Sequence, residues 1–146
     1  LEHSPSAFLT TLEEEKARGN SHFEKTLSHE GNEKAIFGAV AEGKVLGTVG
    51  IIRGDRPKTL HKAMIWGMYV DINHRNRGIG GEILDLAIHF ARKEMNVIAI
   101  YLSVEAANQQ ARKLYESRGF KVWGTEPKAM QFENKFWDEH HMVLEL

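Results

Sequence analysis

The sequence predicts a mixed α/β domain in which helices cover both faces of one sheet. Three observations carry that expectation. An apolar run from Ala63 to Val70 is followed by a segment with helical spacing, and a second apolar run from Val97 to Val104 is followed by another. A hairpin signal precedes these units and two strand signals close the chain. At 146 residues the chain has the size of one domain. No repeat, low-complexity tract or Pro/Gly/Ser linker divides it, so residues 1–146 read as a single domain.

The elements follow in order. Thr11-Leu12-Glu13-Glu14 and Ser21-His22-Phe23-Glu24 both have capping-box spacing, with Gly19-Asn20 as a stop between them. The first third is therefore expected to be helical. Ala35 to Ala41 is a short apolar strand, Glu42-Gly43-Lys44 a turn, and Val45 to Ile52 a β-branched strand, which together read as a hairpin. Asp55-Arg56-Pro57-Lys58 is loop. Ala63 to Val70 has no polar face and is expected to be a central strand buried on both sides. A helix runs from Ile79 to Glu94, with Ile83, Leu86, Ala87 and Phe90 at helical spacing. Val97 to Val104 is a buried strand, Asn108 to Ser117 a helix stopped at Gly119, and Phe120 to Trp123 and Met142 to Leu146 are late strands.

Composition removes several function classes. Nineteen Lys plus Arg against twenty Asp plus Glu give a formal net charge of −1, which argues against a nucleic-acid binder needing a basic surplus. The absence of cysteine excludes disulfides, thiolate zinc sites and a catalytic Cys. No run approaches the roughly 18 apolar residues of a membrane span, and the first twenty residues are polar and Glu-rich, unlike a signal peptide. A soluble, cytoplasmic protein without membrane or nucleic-acid partners is expected.

The most informative stretch runs from Tyr69 to Gly81, between an apolar strand and a long helix. Gly78, Gly80 and Gly81 fall at the helix start, where glycine lets a backbone approach a ligand. The free N–H groups of the first turn and the positive helix end there favour an anion. Arg75 and Arg77 add charge. These features describe a phosphate or pyrophosphate cradle, and the alternative is a strand-to-helix turn needing glycine only for its dihedrals. No GxxxxGK[ST] is present, and Ile83 stands where a dinucleotide fingerprint has its third glycine, so neither common phosphate loop applies.

Arg75-x-x-Gly78-x-Gly80 after an apolar strand resembles the acetyl-CoA pyrophosphate motif of the GNAT N-acetyltransferase superfamily. A second block resembles the same family: Leu102-Ser103-Val104-Glu105-Ala106-Ala107-Asn108, then Ala111, Leu114-Tyr115 and Gly119-Phe120. So does the ending Trp137-Asp138-Glu139-His140-His141-Met142. The resemblance extends from Ala35 to Leu146 and implies a mostly antiparallel central sheet. One departure is visible. Leu1 to Phe8 look like the tail of the family's first helix, and the chain begins with Leu, so the family's opening strand is expected to be missing or replaced by another segment. An edge left open in that way would invite a homodimer.

The resemblance implies that acetyl-CoA lies between two central strands that splay apart. Met68, Tyr69 and Val70 would offer backbone groups to the pantetheine arm. The N–H groups of Arg75, Asn76, Arg77, Gly78, Ile79, Gly80 and Gly81 would hold the pyrophosphate. Asn108 and Tyr115, seven residues apart, fall about 20° apart on a helix face. By resemblance Asn108 bonds the pantetheine, and Tyr115 sits by the sulfur as proton donor to the departing thiolate. The alternative makes Tyr115 a packing residue beside Leu114. Acyl transfer to a primary amine of a small molecule or peptide would be direct, with a backbone N–H near Val70 stabilising the oxyanion.

The base that deprotonates the amine is not identified by sequence. Glu105, at a strand end, is one candidate, through a water, and His61 and His74 are others. Adjacent strand residues point to opposite faces, so His140 and His141 are not expected to share an ion, and no metal is expected. Trp66, Trp123 and Trp137 are expected in the core or a pocket wall. Two rival readings remain open: a catalytically silent acyl-CoA-binding module and a phosphate-binding protein unrelated to CoA. Acceptor specificity is expected in the early helices, the loop from Gly54 to His61, and the hairpin near Glu133-Asn134-Lys135.

Overall fold

The structure, a computed structural model, describes residues 24–146. Seven strands form one sheet: β1 (Glu24–Glu30), β2 (Lys34–Ala41), β3 (Lys44–Arg53), β4 (Lys62–Val70), β5 (Ala99–Glu105), β6 (Lys121–Phe132) and β7 (Lys135–Glu145). Their spatial order is β1-β2-β3-β4-β5-β7-β6. All neighbours are antiparallel except β4 and β5, which run parallel. Helix α1 (Ile79–Phe90) connects β4 to β5, and α2 (Gln109–Ser117) connects β5 to β6.

The β2–β3 hairpin forms where its turn is legible, with Glu42 and Gly43 both at positive φ, the pattern of a two-residue turn that suits strand twist. The helix expected to start at Ser21-His22-Phe23-Glu24 is corrected: Glu24–Glu30 is a strand paired antiparallel with β2. A capping box satisfies a few local N–H groups, whereas the turn at Gly31 lets this segment pair with β2, continuously from Ser28 to Glu30 and again at Glu24 beyond a register shift. That strand is the edge of the described sheet on the β2 side. The helix expected around Thr11 lies outside the described residues.

One core joins the sheet to both helices. Phe37, Val49, Ile51, Ile65, Ile100, Leu102, Met142 and Leu144 meet Ile83, Leu84, Ala87 and Tyr115, and the Phe37 and Phe90 rings meet edge-on at 5.6 Å. Burying this apolar area is the main stabilising term, at about 25 cal/mol per Å². Both described helices lie on the same face of the sheet. On the opposite face Ile36 and Val40 form a smaller cluster with Val45 and Trp66. After Phe90, α1 continues as a π-helical turn, Ala91–Met95, and stops at Asn96 in the left-handed conformation. Arg53 Nη1 donates to the Met95 carbonyl at 3.3 Å, occupying one of the acceptors a helix end leaves open.

Two irregularities position the site. Between the pairs Thr48↔Tyr69 and Gly50↔Trp66, a step of two residues on β3 faces a step of three on β4, which is a β-bulge. Gly67 within it has φ +61, and its carbonyl accepts from Thr48 Oγ1 at 3.1 Å. The extra residue inverts the alternation. Ala63 and Ile65 face the helices before it, Met68 and Val70 after it, and Trp66 turns to the other face. The expectation of a strand buried on both sides is therefore corrected, since Met64 is 56% and Tyr69 53% exposed.

The second irregularity is that β4 and β5 pair only at Lys62↔Ala99, Ala63↔Ile100 and Met64↔Tyr101. Beyond those rungs the strands part, while β5 stays paired with β7 as far as Glu105↔Glu139. The late strands are also much longer than expected. Register shifts, Pro127 and Lys128 at φ +52 break the period-two pattern of β6, so its outer half is unreadable as a strand. No helix among the described residues is long and apolar enough to cross a membrane.

Candidate active site

Where β4 and β5 part, a cleft of about 720 Å³ opens. Met68, Tyr69, Val70, Arg75, Asn76, Gly78, Ile79, Gly80, Gly81, Glu105, Asn108 and Tyr115 all border it. Arg77 and His61 are not on its wall, whereas His74 is. Parallel strands that separate leave backbone groups without a ladder partner, and these face the gap. The Asp71 N–H donates to the Leu46 carbonyl at 2.7 Å. By strand alternation, Val70 then turns its backbone groups away from β3 and toward the cleft. Its carbonyl is taken by Arg75 Nε at 3.0 Å, so the Val70 N–H, not its C=O, is the group offered.

The loop after β4 is held by its own side chains. Asp71 Oδ2 accepts from the Asn73 N–H at 3.1 Å and lies 2.6 Å from His74 Nδ1. The hydrogen bond with His74 is the main cause that holds the Asp71 carboxyl below its ordinary value, with the Asn73 N–H and the Arg75 charge adding to it. Arg75 uses one of its three nitrogens on Val70, and its guanidinium lies 6.0 Å from the Tyr69 ring. Asn76 and Gly78 stand at φ +61 and +82, and backbone turns of that hand make concavities lined with N–H groups. The N–H groups of Ile79, Gly80 and Gly81 follow, with no carbonyl behind them inside the helix. The first helical bond runs from Glu82 N–H to the Gly78 carbonyl at 3.0 Å.

The glycines divide their roles more finely than close approach to a ligand. Gly78 is required by its φ. A Cβ on Gly80 would lie 3.2 Å from Leu114 and 3.4 Å from Met68, and one on Gly81 would collide with the Arg118 guanidinium. Arg118 in turn donates two hydrogen bonds to Asp85, at 3.0 and 3.1 Å, which raise its pKa further.

The far wall comes from α2. Asn108 is its N-cap, its Oδ1 accepting from the Ala111 N–H at 3.1 Å. It therefore stands just before the helix rather than on a helical face with Tyr115, and both N–H groups of its amide remain for another partner. Tyr115 is 5% exposed, its ring edge-on to Phe120 at 6.0 Å. Burial pushes its phenol from 10.0 up to about 12, so the hydroxyl is a proton donor at neutral pH.

Sequence reasoning missed Gln110, Ser103 and Glu139, which also border the cleft. Ser103 had a signal, because Tyr101, Ser103 and Glu105 are the alternate, less apolar set in an otherwise apolar strand. Glu139 becomes visible only through its pairing with Glu105. His140 and His141 take different partners: His140 Nδ1 lies 2.8 Å from Thr125 Oγ1, and His141 Nδ1 lies 2.8 Å from Ser103 Oγ. Trp66 joins the smaller core cluster. Trp123 is 61% exposed, contrary to expectation, and stacks on His141 at 5.4 Å.

Comparison with known proteins gives the same picture. The profile described as the Acetyltransferase (GNAT) family matches residues 4–120. L-amino acid N-acetyltransferase AaaT of Escherichia coli (strain K12) is 26% identical over 139 residues, spanning 95% of this chain and 84% of the relative. The crystal structure of a GNAT-family acetyltransferase from Streptococcus pneumoniae superposes with a TM-score of 0.74 at 26% identity, over 79% of this chain and 68% of that one. The fold is also that of YncA from Salmonella typhimurium, solved with its cofactor acetyl-CoA (TM-score 0.71, 21% identity, 77% and 65% coverage). A family match that runs through the anion loop and both helices leaves one conclusion: the chain belongs to the GNAT acetyltransferase family and transfers the acetyl group of acetyl-CoA to an amine.

Proposed function

We propose that the acetyl group passes directly to a primary amine on a small molecule or peptide, inside the cleft between β4 and β5. The observation that carries this reading is the parting of the two strands beyond Met64, with the anion loop and Tyr115 both on the wall of the resulting gap. The loop from Arg75 to Gly81 suits a pyrophosphate, because it combines a cation, a left-handed turn and a helix N-terminus. Met68, Tyr69 and Val70 suit an extended arm running along the strand edge, and the Asn108 amide supplies a donor beside it. Acetyl-CoA supplies a thioester carbonyl whose carbon accepts the amine.

The Val70 N–H is the group suited to the oxyanion at that carbonyl. The Tyr115 hydroxyl donates to the departing sulfur. Glu105, at the end of β5 opposite Glu139, is suited to holding the incoming ammonium and to taking its proton through a water. Small polyamines, amino acids and peptide N-termini are the acceptor classes proposed.

Calorimetric titration tests the reading. Acetyl-CoA and CoA are expected to bind alike, and ADP more weakly by at least about tenfold, or 1.4 kcal/mol, because it lacks the pantetheine arm. Equal binding of ADP and CoA would replace the proposal with a simple phosphate site. A screen of putrescine, L-leucine and an Ala-initiated peptide, read by thiol release, then sorts the acceptors.

A further inference from the structure

On the sheet face turned away from α1 and α2, three strands bring a hydroxyl, an imidazole and a carboxylate into line. Leu102 and Val104 enter the core beneath the helices, so Ser103 between them points to the other face. His141 is its register partner on β7. Ser103 Oγ lies 2.8 Å from His141 Nδ1, and His141 Nε2 lies 3.0 Å from Glu126 Oε2 on β6. Trp123 stacks against the ring and fixes its plane. Glu139 brings a second carboxylate within 4.8 Å of the same imidazole and of Glu126, and Glu105 follows Ser103 along β5. Ser103, Glu105 and Glu139 border the cleft.

The donors and acceptors fix the direction of this chain. An ionised carboxylate only accepts, and a neutral imidazole has one N–H and one bare nitrogen. His141 Nε2–H therefore donates to Glu126, and bare Nδ1 accepts from the Ser103 hydroxyl. That leaves the Ser103 oxygen lone pairs for a donor in the cleft. We propose that Ser103, His141 and Glu126 form a proton relay that draws the acceptor's proton out of the cleft. An ammonium N–H of the acceptor donates to Ser103 Oγ. As that proton binds the oxygen, the proton already on Ser103 passes to His141 Nδ1. The products are a neutral amine with a free electron pair, an unchanged Ser103 hydroxyl, and an imidazolium facing Glu126. The imidazolium returns its proton to solvent.

Ser103 is the group that touches the amine, while His141 and Glu126 act through it. The relay rests on the acetyltransfer reading above and replaces one part of it: the proton leaves through Ser103, and Glu105 keeps the role of holding the incoming ammonium. With Ser103 Oγ at one ring nitrogen and Glu126 at the other, the imidazole can take a proton on the cleft side while the carboxylate holds its far side.

Two measurements on the full chain test the relay. The first is nitrogen-15 NMR of the histidines, which needs no acceptor. Neutral His141 is expected as the Nε2–H tautomer, with its Nδ1 resonance shifted by Ser103→Ala. An Nδ1–H tautomer would overturn the proposal whether or not any amine is acetylated, so failure of the relay and failure of the acetyltransfer reading are separately visible.

The second measurement is the pH profile of kcat/KM with the best of putrescine, L-leucine and the Ala-initiated peptide. The unaltered protein is expected to reach a plateau near neutral pH. In His141→Gln the rate falls about 100-fold at neutral pH and rises roughly tenfold per pH unit toward the amine's own titration, with the KM for acetyl-CoA unchanged. Ser103→Ala, at an exposed serine, gives the same profile and covers the case in which His141→Gln fails to fold. An unaltered profile in both variants overturns the relay. So does loss of activity to a chelator, which would assign His141 to a metal, or recovery of acetylated Ser103 without amine, which would make it a nucleophile.

Discussion

Gln110 Nε2 donates a hydrogen bond to Asn76 Oδ1 at 2.8 Å and so ties the start of α2 to the left-handed turn of the anion loop. Asn76 holds φ +61, a conformation Asn tolerates but does not favour, and the tie helps keep it there. Gln110→Ala removes one hydrogen bond, worth about 1 kcal/mol net, so CoA affinity is expected to fall about fivefold. The loss should appear equally in titrations with CoA and ADP, because the loop serves the part the two share. A loss confined to CoA would move Gln110 to the pantetheine end.

Gly78 and Gly81 are expected to fail in different ways. A Cβ at position 78 meets nothing within 4 Å, but the residue holds φ +82, which costs a residue other than glycine about 1–2 kcal/mol. Gly78→Ala should therefore weaken CoA by about tenfold, and Gly78→Asn by less. At position 81 the φ is ordinary and the obstacle is the Arg118 guanidinium, so Gly81→Ala displaces Arg118 from Asp85. That ion pair joins a half-buried arginine to an exposed aspartate, and solvent at the carboxylate keeps its contribution to stability small. Melting curves should register a small loss for Gly81→Ala. A CoA titration indistinguishable from wild type in Gly78→Ala would show that the turn tolerates another conformation.

What the sequence made legible was local in sequence. The loop from Arg75 to Gly81 and the segment from Asn108 to Tyr115 each carry their chemistry within a dozen residues, so spacing and resemblance reach them. The β4 bulge did not show, because an extra residue at Gly67 can be recognised only against the register of β3. Ser103, Glu126 and His141 were unreadable together for the same reason: 38 residues separate Ser103 from His141. The segment from Ser21 to Glu24 misled in the opposite sense. Its local capping signal was real in pattern, but the turn at Gly31 and the free edge of β2 offered Glu24–Glu30 a longer ladder.

The Asp71–His74 contact makes the loop sensitive to acid. Asp71 has its folded pKa depressed below 3.8, chiefly by the hydrogen bond with His74. A depressed carboxyl contributes stability above its unfolded value and loses it as pH falls through the folded one. The loop cap should therefore be intact at neutral pH and weaken only below about pH 4. Asp71→Asn removes the charge while keeping an acceptor for the Asn73 N–H. It is expected to lower CoA affinity about threefold at pH 7 and to flatten the acid limb of a stability profile. An acid limb of the same depth in Asp71→Asn would assign it to other carboxylates.

Tyr115 gives the sharpest test of the chemistry, because burial both qualifies and limits it as an acid. Its phenol is pushed up to about 12, while an ordinary thiol lies near 8.5, so complete proton transfer to a free thiolate would be uphill. The hydroxyl is therefore expected to stabilise sulfur by hydrogen bonding as negative charge develops, in the manner of an oxyanion donor. Removing such a donor costs about 100-fold in rate. Tyr115→Phe should lower kcat by that order, with little change in the KM for acetyl-CoA. The sign of the pH dependence follows from the raised value. Below the unfolded pKa of 10.0 the neutral phenol contributes fully to stability, and that contribution is lost as pH rises from there to about 12. Tyr115 should therefore produce no falling limb in kcat below about pH 10. A limb near pH 8 that disappears in Tyr115→Phe would mean that the phenol ionises during turnover, and the hydrogen-bond role would have to give way to full proton transfer.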